Sequence, residues 1–138
     1  MSFFAHLSNT KLIAIVLLIG INTPVNAHAE WIKVSESTGG DTYYVDFEKI
    51  RKNSGHVYFW TLLDYIEPFK GVFSDITYVK GDCGEFKYKW LQINYHMGPM
   101  GVGEIHSASG EPTVDGQKWR YPAPNSMFEP VLNLVCSQ

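Results

Sequence analysis

The residue types in this chain that could do chemistry are concentrated in a glycine-rich stretch, "YHMGPMGVGE", which runs from Tyr95 to Glu104, and just after it. If the chain reverses near Gly101, the imidazoles of His96 and His106 come close to cross-strand distance. Imidazole nitrogens and thioether sulfurs together suit copper. The candidate metal ligands are His96, His106, Met97, Met100 and Glu104.

The same stretch has two other interpretations. It lacks the Gly-Lys-Ser/Thr ending of a phosphate-binding loop, and no helix is expected behind it, which argues against a phosphate site. As the turn of a β-hairpin, its glycines reverse the chain and its methionines fill apolar gaps. We favour the turn and predict no metal or cofactor. A periplasmic metal-binding protein that uses the His96/His106 hairpin remains the alternative.

Signatures of catalysis are missing from the sequence. There is no G-x-S-x-G nucleophile elbow or other local signature. The chain has 14 acidic residues, but no spacing singles out a pair for general acid and base work. We therefore predict a protein that is not an enzyme and assign no catalytic residue.

The two cysteines, Cys83 and Cys136, form an even pair in a chain whose N-terminal pattern, described below, predicts export. Such a pair is most simply one disulfide. The alternative, a free or redox-active pair, would favour a C-x-x-C spacing, which is absent.

Aromatic residues are abundant, at 14% of the chain, and several are interleaved with basic residues in "FKYKW" and "KWRY". Most rings should fill the core or pair across strands. A sheet with one covered face, however, presents its other face to water or to a partner, and rings beside lysines there would bind protein. The partner-binding candidates are Trp90, Tyr88, Lys87, Lys89, Trp119 and Arg120.

The elements that must position these residues are mostly β-strands. Alternating or apolar runs bounded by turn residues predict strands at 31–35, 42–47, 56–66, 72–83, 85–97 and 102–107. The apolar face changes at Trp90-Leu91, which indicates a bulge or a strong twist.

The C-terminal segment changes to helical periodicity. Ser126 and Glu129 match a capping box. The apolar residues Phe128, Val131, Leu132 and Val135 fall on one helical face. The predicted fold is α+β: an antiparallel β-sheet of about six strands packed against a C-terminal α-helix, with one disulfide.

The N-terminus has the pattern of a secretory signal. Lys11 precedes an apolar run at 12–21, and Ala27-His28-Ala29 forms an A-x-A cleavage site. The run is shorter than the about 20 apolar residues that span a bilayer, and no cysteine lies near the site to accept a lipid. We predict a cleaved signal peptide over residues 1–29 and one domain over 30–138, with cleavage after Ala27 as the alternative. The mature protein would be periplasmic, secreted or at the cell surface, without a transmembrane or lipid anchor.

The charge of the chain excludes one class of partner. Net charge is −3, and loss of Lys11 with the signal makes it −4. A nucleic-acid binder would normally carry a clustered basic excess, so we predict no nucleic-acid partner.

Several short motifs occur in order along the mature chain: "WIKV", "YYVDFEKIRK", "VYFWTLLDY", Ser74, "DCGEFKYKWLQINYH", "MGVG", Trp119 and the terminal "VLNLVC". Together they resemble the surface-adhesin protein E-like family of bacterial exported proteins, from Trp31 to Cys136. The resemblance implies an antiparallel sheet on a C-terminal helix with a Cys83–Cys136 bridge. It also implies binding of host matrix and serum proteins such as laminin, vitronectin and plasminogen.

The leading hypothesis is therefore an exported, non-enzymatic module that binds a host protein or an envelope protein. It would act through an aromatic and basic sheet face or through its loops. The sequence leaves a homodimer open.

Overall fold

The structure, a computed structural model, describes residues 29–138. The predicted signal peptide, apart from its last residue, lies outside the described residues. Six strands and one α-helix follow along the chain. They are β1 (Trp31–Glu36), β2 (Thr42–Asp46), β3 (Arg51–Asn53), β4 (His56–Phe69), β5 (Val72–Asp82), β6 (Lys87–His96) and α1 (Phe128–Cys136).

All six strands belong to one antiparallel sheet with the order β1-β2-β4-β5-β6. The short strand β3 pairs with the first residues of β4, while β2 pairs with Thr61–Asp64 farther along the same strand. The segment after β6 folds back along its outer edge and bridges to it at Ile105, Gly110 and Arg120. The fold class predicted from the sequence is confirmed.

The sixth strand is not the one that the sequence predicted. Residues 51–53 are exposed and polar, so they carry no apolar alternation, and they become a strand only by pairing with β4. The predicted strand at 102–107 is reduced to one bridge between His96 and Ile105. A 3₁₀ turn at Pro99–Gly101 takes the chain away from β6 before that bridge forms.

One face of the sheet packs on α1. Alternation along β4 directs Val57 and Phe59 to this face, where they join Val45 of β2 and Val79 of β5 in the core. The predicted apolar face of the helix is buried there, at 5% exposure or less for Phe128, Val131, Leu132 and Val135. A helix of nine residues is marginal by itself, so this packing is what stabilises α1.

The helix begins without the predicted capping box. Its N-cap is Met127, and no side chain caps it. The Ser126 hydroxyl is buried without a hydrogen-bond partner, whereas a Glu129 oxygen accepts from the Asn125 N–H at 2.7 Å. Glu129 thus reaches back as in a capping box, but to a residue two positions before the N-cap.

A disulfide joins Cys83, just after β5, to Cys136 at the end of α1. The two residues are 53 positions apart in sequence. Loop-closure entropy for a loop of that length gives about 4 kcal/mol of stabilisation as an upper figure. The bridge therefore fixes the far end of the helix to the sheet that the helix covers.

The bulge predicted at Trp90-Leu91 is present. Trp90 pairs with Val79 and Gln92 with Tyr78, so Leu91 is the extra residue in β6. Because Val79, Thr77 and Asp75 share a face of β5, their partners Trp90, Ile93 and Tyr95 share it too. On both sides of the bulge, therefore, the side chains of β6 point to the same face of the sheet as their partners in β5.

Candidate functional site

The face of the sheet away from α1 carries rings and lysines. Alternation along β4 directs Tyr58 and Trp60 to this face, opposite to Val57 and Phe59. Across the ladder, Tyr58 pairs with Lys80 and Trp60 pairs with Tyr78. None of these side chains is fully buried.

The rings on this face contact one another. Trp60 and Tyr78 stack with centroids 4.7 Å apart, and Tyr58 lies 6.2 Å from Tyr78. The ammonium group of Lys80 lies 5.5 Å from the Tyr58 ring. Such contacts fix the orientation of the rings and lower the entropy cost of using them in an interface.

Trp119 lies over the same face beside three lysines. Its ring is 5.0 Å from the Lys87 ammonium, 5.2 Å from that of Lys89 and 5.9 Å from that of Lys80. It also stacks on His56 at 5.9 Å. We call the resulting surface the aromatic–lysine face and define it by Tyr58, Trp60, Tyr78, Lys80, Lys89 and Trp119.

Of the three lysines beside Trp119, Lys87 forms ion pairs within the described residues, whereas Lys80 and Lys89 do not. Lys87 pairs with Glu85 and lies 4.0 Å from Asp82, and the hydrogen bond to Glu85 raises the Lys87 pKa. Within residues 29–138, neither Lys80 nor Lys89 forms an ion pair. The face therefore presents positive charge next to aromatic surface.

The six partner-binding candidates divide between the two faces. Lys87, Lys89 and Trp119 lie on the face away from α1, as their contacts above establish. Tyr88 instead stacks on Phe128 of the helix, with centroids 4.0 Å apart. On that same helix side the Arg120 guanidinium lies 4.0 Å from the Trp90 ring.

The partner-binding candidates predicted from the sequence do not include Tyr58, Trp60, Tyr78 or Lys80. The signal that could have found them is the alternation of β4, where His56, Tyr58 and Trp60 are interleaved with the buried Val57 and Phe59. Tyr78 and Lys80 then follow from the antiparallel register of β5. Without the register, a run of apolar residues does not tell which rings are covered.

The two histidines of the glycine loop lie on opposite faces of the sheet. His96 pairs with Ser74, on the side away from α1, and its buried Nδ1 has no hydrogen-bond partner. The backbone N–H of His106 donates to the carbonyl of Tyr95. The His106 side chain lines a cleft with Tyr65 and Tyr95 on the helix side. The hairpin thus separates the imidazoles instead of bringing them together.

The other candidate ligands are exposed around the loop. Met97, Met100 and Glu104 all have large accessible fractions. In the part of the chain that the structure describes, no group of three or more His, Cys, Asp and Glu side chains is placed to hold a metal ion.

These features define a class of protein: a single-sheet α+β domain with a C-terminal helix tied to the sheet by a disulfide. The chain belongs to the surface-adhesin protein E family, whose sequence model matches residues 31–137. Among curated proteins, none matches the chain in sequence.

Between residues 29 and 138, no helix is long and apolar enough to cross a membrane.

Solved structures of Haemophilus influenzae protein E share the fold. One has a TM-score of 0.59 and 15% sequence identity, covering 83% of this chain and 89% of that chain. A second crystal form gives 0.57 and 17%, with coverage of 83% and 92%. Protein E from non-typeable Haemophilus influenzae gives 0.55 and 16%, with coverage of 83% and 80%.

Proposed function

We propose that this chain is an exported, non-enzymatic binding module that engages a protein partner through the aromatic–lysine face. Membership of the surface-adhesin protein E family supports an adhesive role. The observation that carries the choice of surface is the combination, on the face away from α1, of half-buried stacked rings with lysines that form no ion pair within residues 29–138. Tryptophan and tyrosine are the residues most often responsible for binding energy in interfaces.

The chemistry of this face favours a partner with acidic groups next to apolar surface. Lys80 and Lys89 would steer such a partner and set its register, while Trp60 and Trp119 would supply the buried contact area. Host matrix and serum proteins, namely laminin, vitronectin and plasminogen, are the first candidates because of the family. An envelope protein is the alternative partner if the mature chain stays in the periplasm.

The proposal includes export through a cleaved signal peptide, with residues 1–29 removed. Mass spectrometry of the protein from the cell envelope tests this directly. We expect a mature N-terminus at Glu30 and no lipid modification.

Binding is tested with purified residues 30–138 on immobilised laminin, vitronectin and plasminogen. We expect Lys80→Glu/Lys89→Glu to weaken binding to at least one of these proteins by about tenfold or more and to make it less salt-dependent. Trp119→Ala should weaken the same interaction without changing its salt dependence.

The matched control is Lys52→Glu/Lys70→Glu, which makes the same change in net charge outside the aromatic–lysine face; Lys52 lies opposite Val57, on the helix side of the sheet. Equal losses in the two double variants would mean that only overall charge matters. Binding that survives both Lys80→Glu/Lys89→Glu and Trp119→Ala would reject this face as the binding surface.

A further inference from the structure

The helix side of the sheet is only partly covered by α1. Beyond Phe128, a cavity of about 130 Å³ lies over β2, β4, β5 and β6. Four aromatic rings and one carboxyl group line it, those of Tyr43, Tyr65, Trp90, Tyr95 and Asp75. It lies on the opposite side of the sheet from the aromatic–lysine face, and the proposed function does not use it.

Asp75 is the one carboxyl group that lines this cavity. It lies on the inner strand β5, between Leu63 of β4 and Tyr95 of β6 in the ladder, and it is 7% exposed. The Tyr65 hydroxyl donates to its Oδ2 at 2.6 Å, and the Thr77 hydroxyl donates to its Oδ1 at 2.8 Å. A carboxylate has about four acceptor positions, so two remain unused.

The carboxyl group has no counter-ion in the described part of the chain. Within residues 29–138 no lysine, arginine or histidine forms an ion pair with it. Burial raises the Asp75 pKa, while the hydrogen bonds from Tyr65 and Thr77 and the charge of His96 oppose that rise. A buried carboxylate without a counter-ion is costly even when it accepts hydrogen bonds, and a bound cation would lower that cost.

The rings around Asp75 favour the same kind of ligand. The faces of tyrosine and tryptophan rings attract cations, and aromatic walls are a known device for binding ammonium groups. Trp90 already demonstrates this property within the molecule, because the Arg120 guanidinium lies 4.0 Å from its ring. That guanidinium donates to the carbonyls of Asp115 and Gly116 and does not neutralise Asp75.

We propose that this cavity, here called the Asp75 pocket, binds the ammonium group of a small amine or of a lysine side chain. Asp75 acts as the counter-ion, and the surrounding rings form the walls. The volume is several times the about 30 Å³ that one water occupies in the liquid, which leaves room for an ammonium group with a short stem.

An adjoining cleft provides space for the rest of the ligand. It has a volume of about 380 Å³, shares Tyr65 and Tyr95 with the Asp75 pocket and adds the apolar side chains of Phe69 and Val72. An alkyl chain attached to the ammonium group would lie along these side chains. The ammonium group of Lys70 also borders this cleft, and its positive charge favours a ligand with one positive charge over a diamine.

The proposal is tested by NMR titration of purified residues 30–138 with three probes: butylammonium chloride, Nα-acetyl-lysine N-methylamide and 1-butanol. We expect both ammonium compounds to shift the amide signals of Asp75, Thr77 and Tyr95, and 1-butanol to bind about tenfold more weakly or not at all. Stronger binding of the lysine derivative would assign the occupant to a protein side chain, and equal or stronger binding of butylammonium to a free amine.

Two substitutions on β5 provide the comparison. Asp75→Asn keeps the shape of the side chain and should abolish the preference for ammonium over 1-butanol. Asp82→Asn is the matched control, because Asp82 lies on the other face of the same strand and pairs with Lys87. Trp90→Leu, which keeps Asp75, should weaken both ammonium probes.

The titration is repeated at lower pH. The titratable groups around Asp75 are Tyr43 of β2, Tyr65 of β4, and Tyr95 and His96 of β6. Ammonium binding should weaken as Asp75 becomes protonated, and 1-butanol binding should not change. Ammonium binding that is unchanged in folded Asp75→Asn, or signal shifts that map outside the pocket, would overturn the proposal.

Discussion

At the scale of single residues, Asp75 illustrates how a polar group is accommodated in the middle of a sheet. Its two oxygens each accept one hydroxyl hydrogen bond, from Tyr65 and Thr77. These bonds compensate only part of the loss of water, so the Asp75 pKa stays raised by burial. The same burial raises the pKa of Tyr43 and Tyr65 nearby. The charged form of Asp75 therefore destabilises the folded protein.

This raised pKa predicts a pH-dependent effect of Asp75→Asn on stability. In the unfolded chain Asp75 titrates near its usual pKa of 3.8, and in the folded protein it titrates at higher pH. The contribution of protonated Asp75 to the free energy of unfolding of the wild type is fully present below pH 3.8. It is lost as the pH rises through the pKa that Asp75 has in the folded protein. We expect Asp75→Asn to gain stability relative to wild type across that window and to keep the gain at neutral pH.

Thermal unfolding of both proteins from pH 3 to pH 8 measures this difference. Asp115→Asn, which replaces an exposed loop carboxyl that pairs with Lys118, is the control for the loss of one negative charge. A difference for Asp75→Asn that shrinks with rising pH would contradict the sign of the pKa change.

At the scale of elements, the glycine loop after β6 is held in place by one buried serine. The Ser74 hydroxyl donates to the carbonyl of Gly98 at 2.7 Å and accepts from the N–H of Gly101 at 2.9 Å. The N–H of Met100 donates to Asp64 at 2.6 Å. These contacts lay the 3₁₀ turn over β4 and β5 and cover part of the face away from α1.

Gly101 is the position in this turn that least tolerates a side chain. Its φ of +72° is left-handed, and an added Cβ would lie 2.6 Å from Cδ1 of Ile76. We expect Gly101→Ala to lower the free energy of unfolding by about 1 to 3 kcal/mol, as measured by urea denaturation. Gly39→Ala is the control, since its Cβ would meet only Ser37 Oγ at 3.6 Å. Equal losses in both variants would refute this account of the turn.

The elements also show how far the sequence predicts the fold. The long strands and α1 follow from apolar periodicity, because burial imposes the same period on the sequence. The strand β3 could not be predicted, since residues 51–53 are exposed and owe their extended form to pairing with β4. The prediction of a strand at 102–107 was wrong for the opposite reason. The segment has apolar residues, but Val102 and Ile105 are exposed, at 57% and 60%, so burial does not impose a strand there.

The candidate sites were harder to predict than the elements. The sequence identified Lys87, Lys89 and Trp119, because basic and aromatic residues alternate there. It grouped them with Tyr88 and Trp90, which alternate onto the helix side. Asp75 gave no local signal, since its environment is formed by Tyr43, Tyr65 and Tyr95 from three other strands.

At the scale of the whole molecule, one sheet separates two different surfaces. The face away from α1 combines positive charge with aromatic rings, and the helix side contains the acidic Asp75 pocket. Adjacent residues of β5 serve opposite surfaces, as Asp75 and Thr77 alternate with Ser74, Ile76 and Tyr78. A cation and an acidic protein partner would thus approach from opposite directions.

The arrangement predicts that the two surfaces bind independently. Asp75→Asn should leave the affinity for an immobilised protein partner within about twofold of wild type, because distant sites without shared contacts act additively. Lys80→Glu/Lys89→Glu should likewise leave butylammonium binding unchanged. Competition binding measures this, and displacement of the protein partner by saturating butylammonium would show that the surfaces are coupled.

The bulge at Leu91 has a consequence for chain length. Trp90 already faces Val79, and Gln92 already faces Tyr78, so the ladder on either side is in register without Leu91. A chain one residue shorter at this point would still direct Trp90 toward the helix side and Gln92 away from it. Position 91 is therefore a place where β6 can lose a residue without exchanging its two faces, whereas a deletion elsewhere in β6 would reverse them.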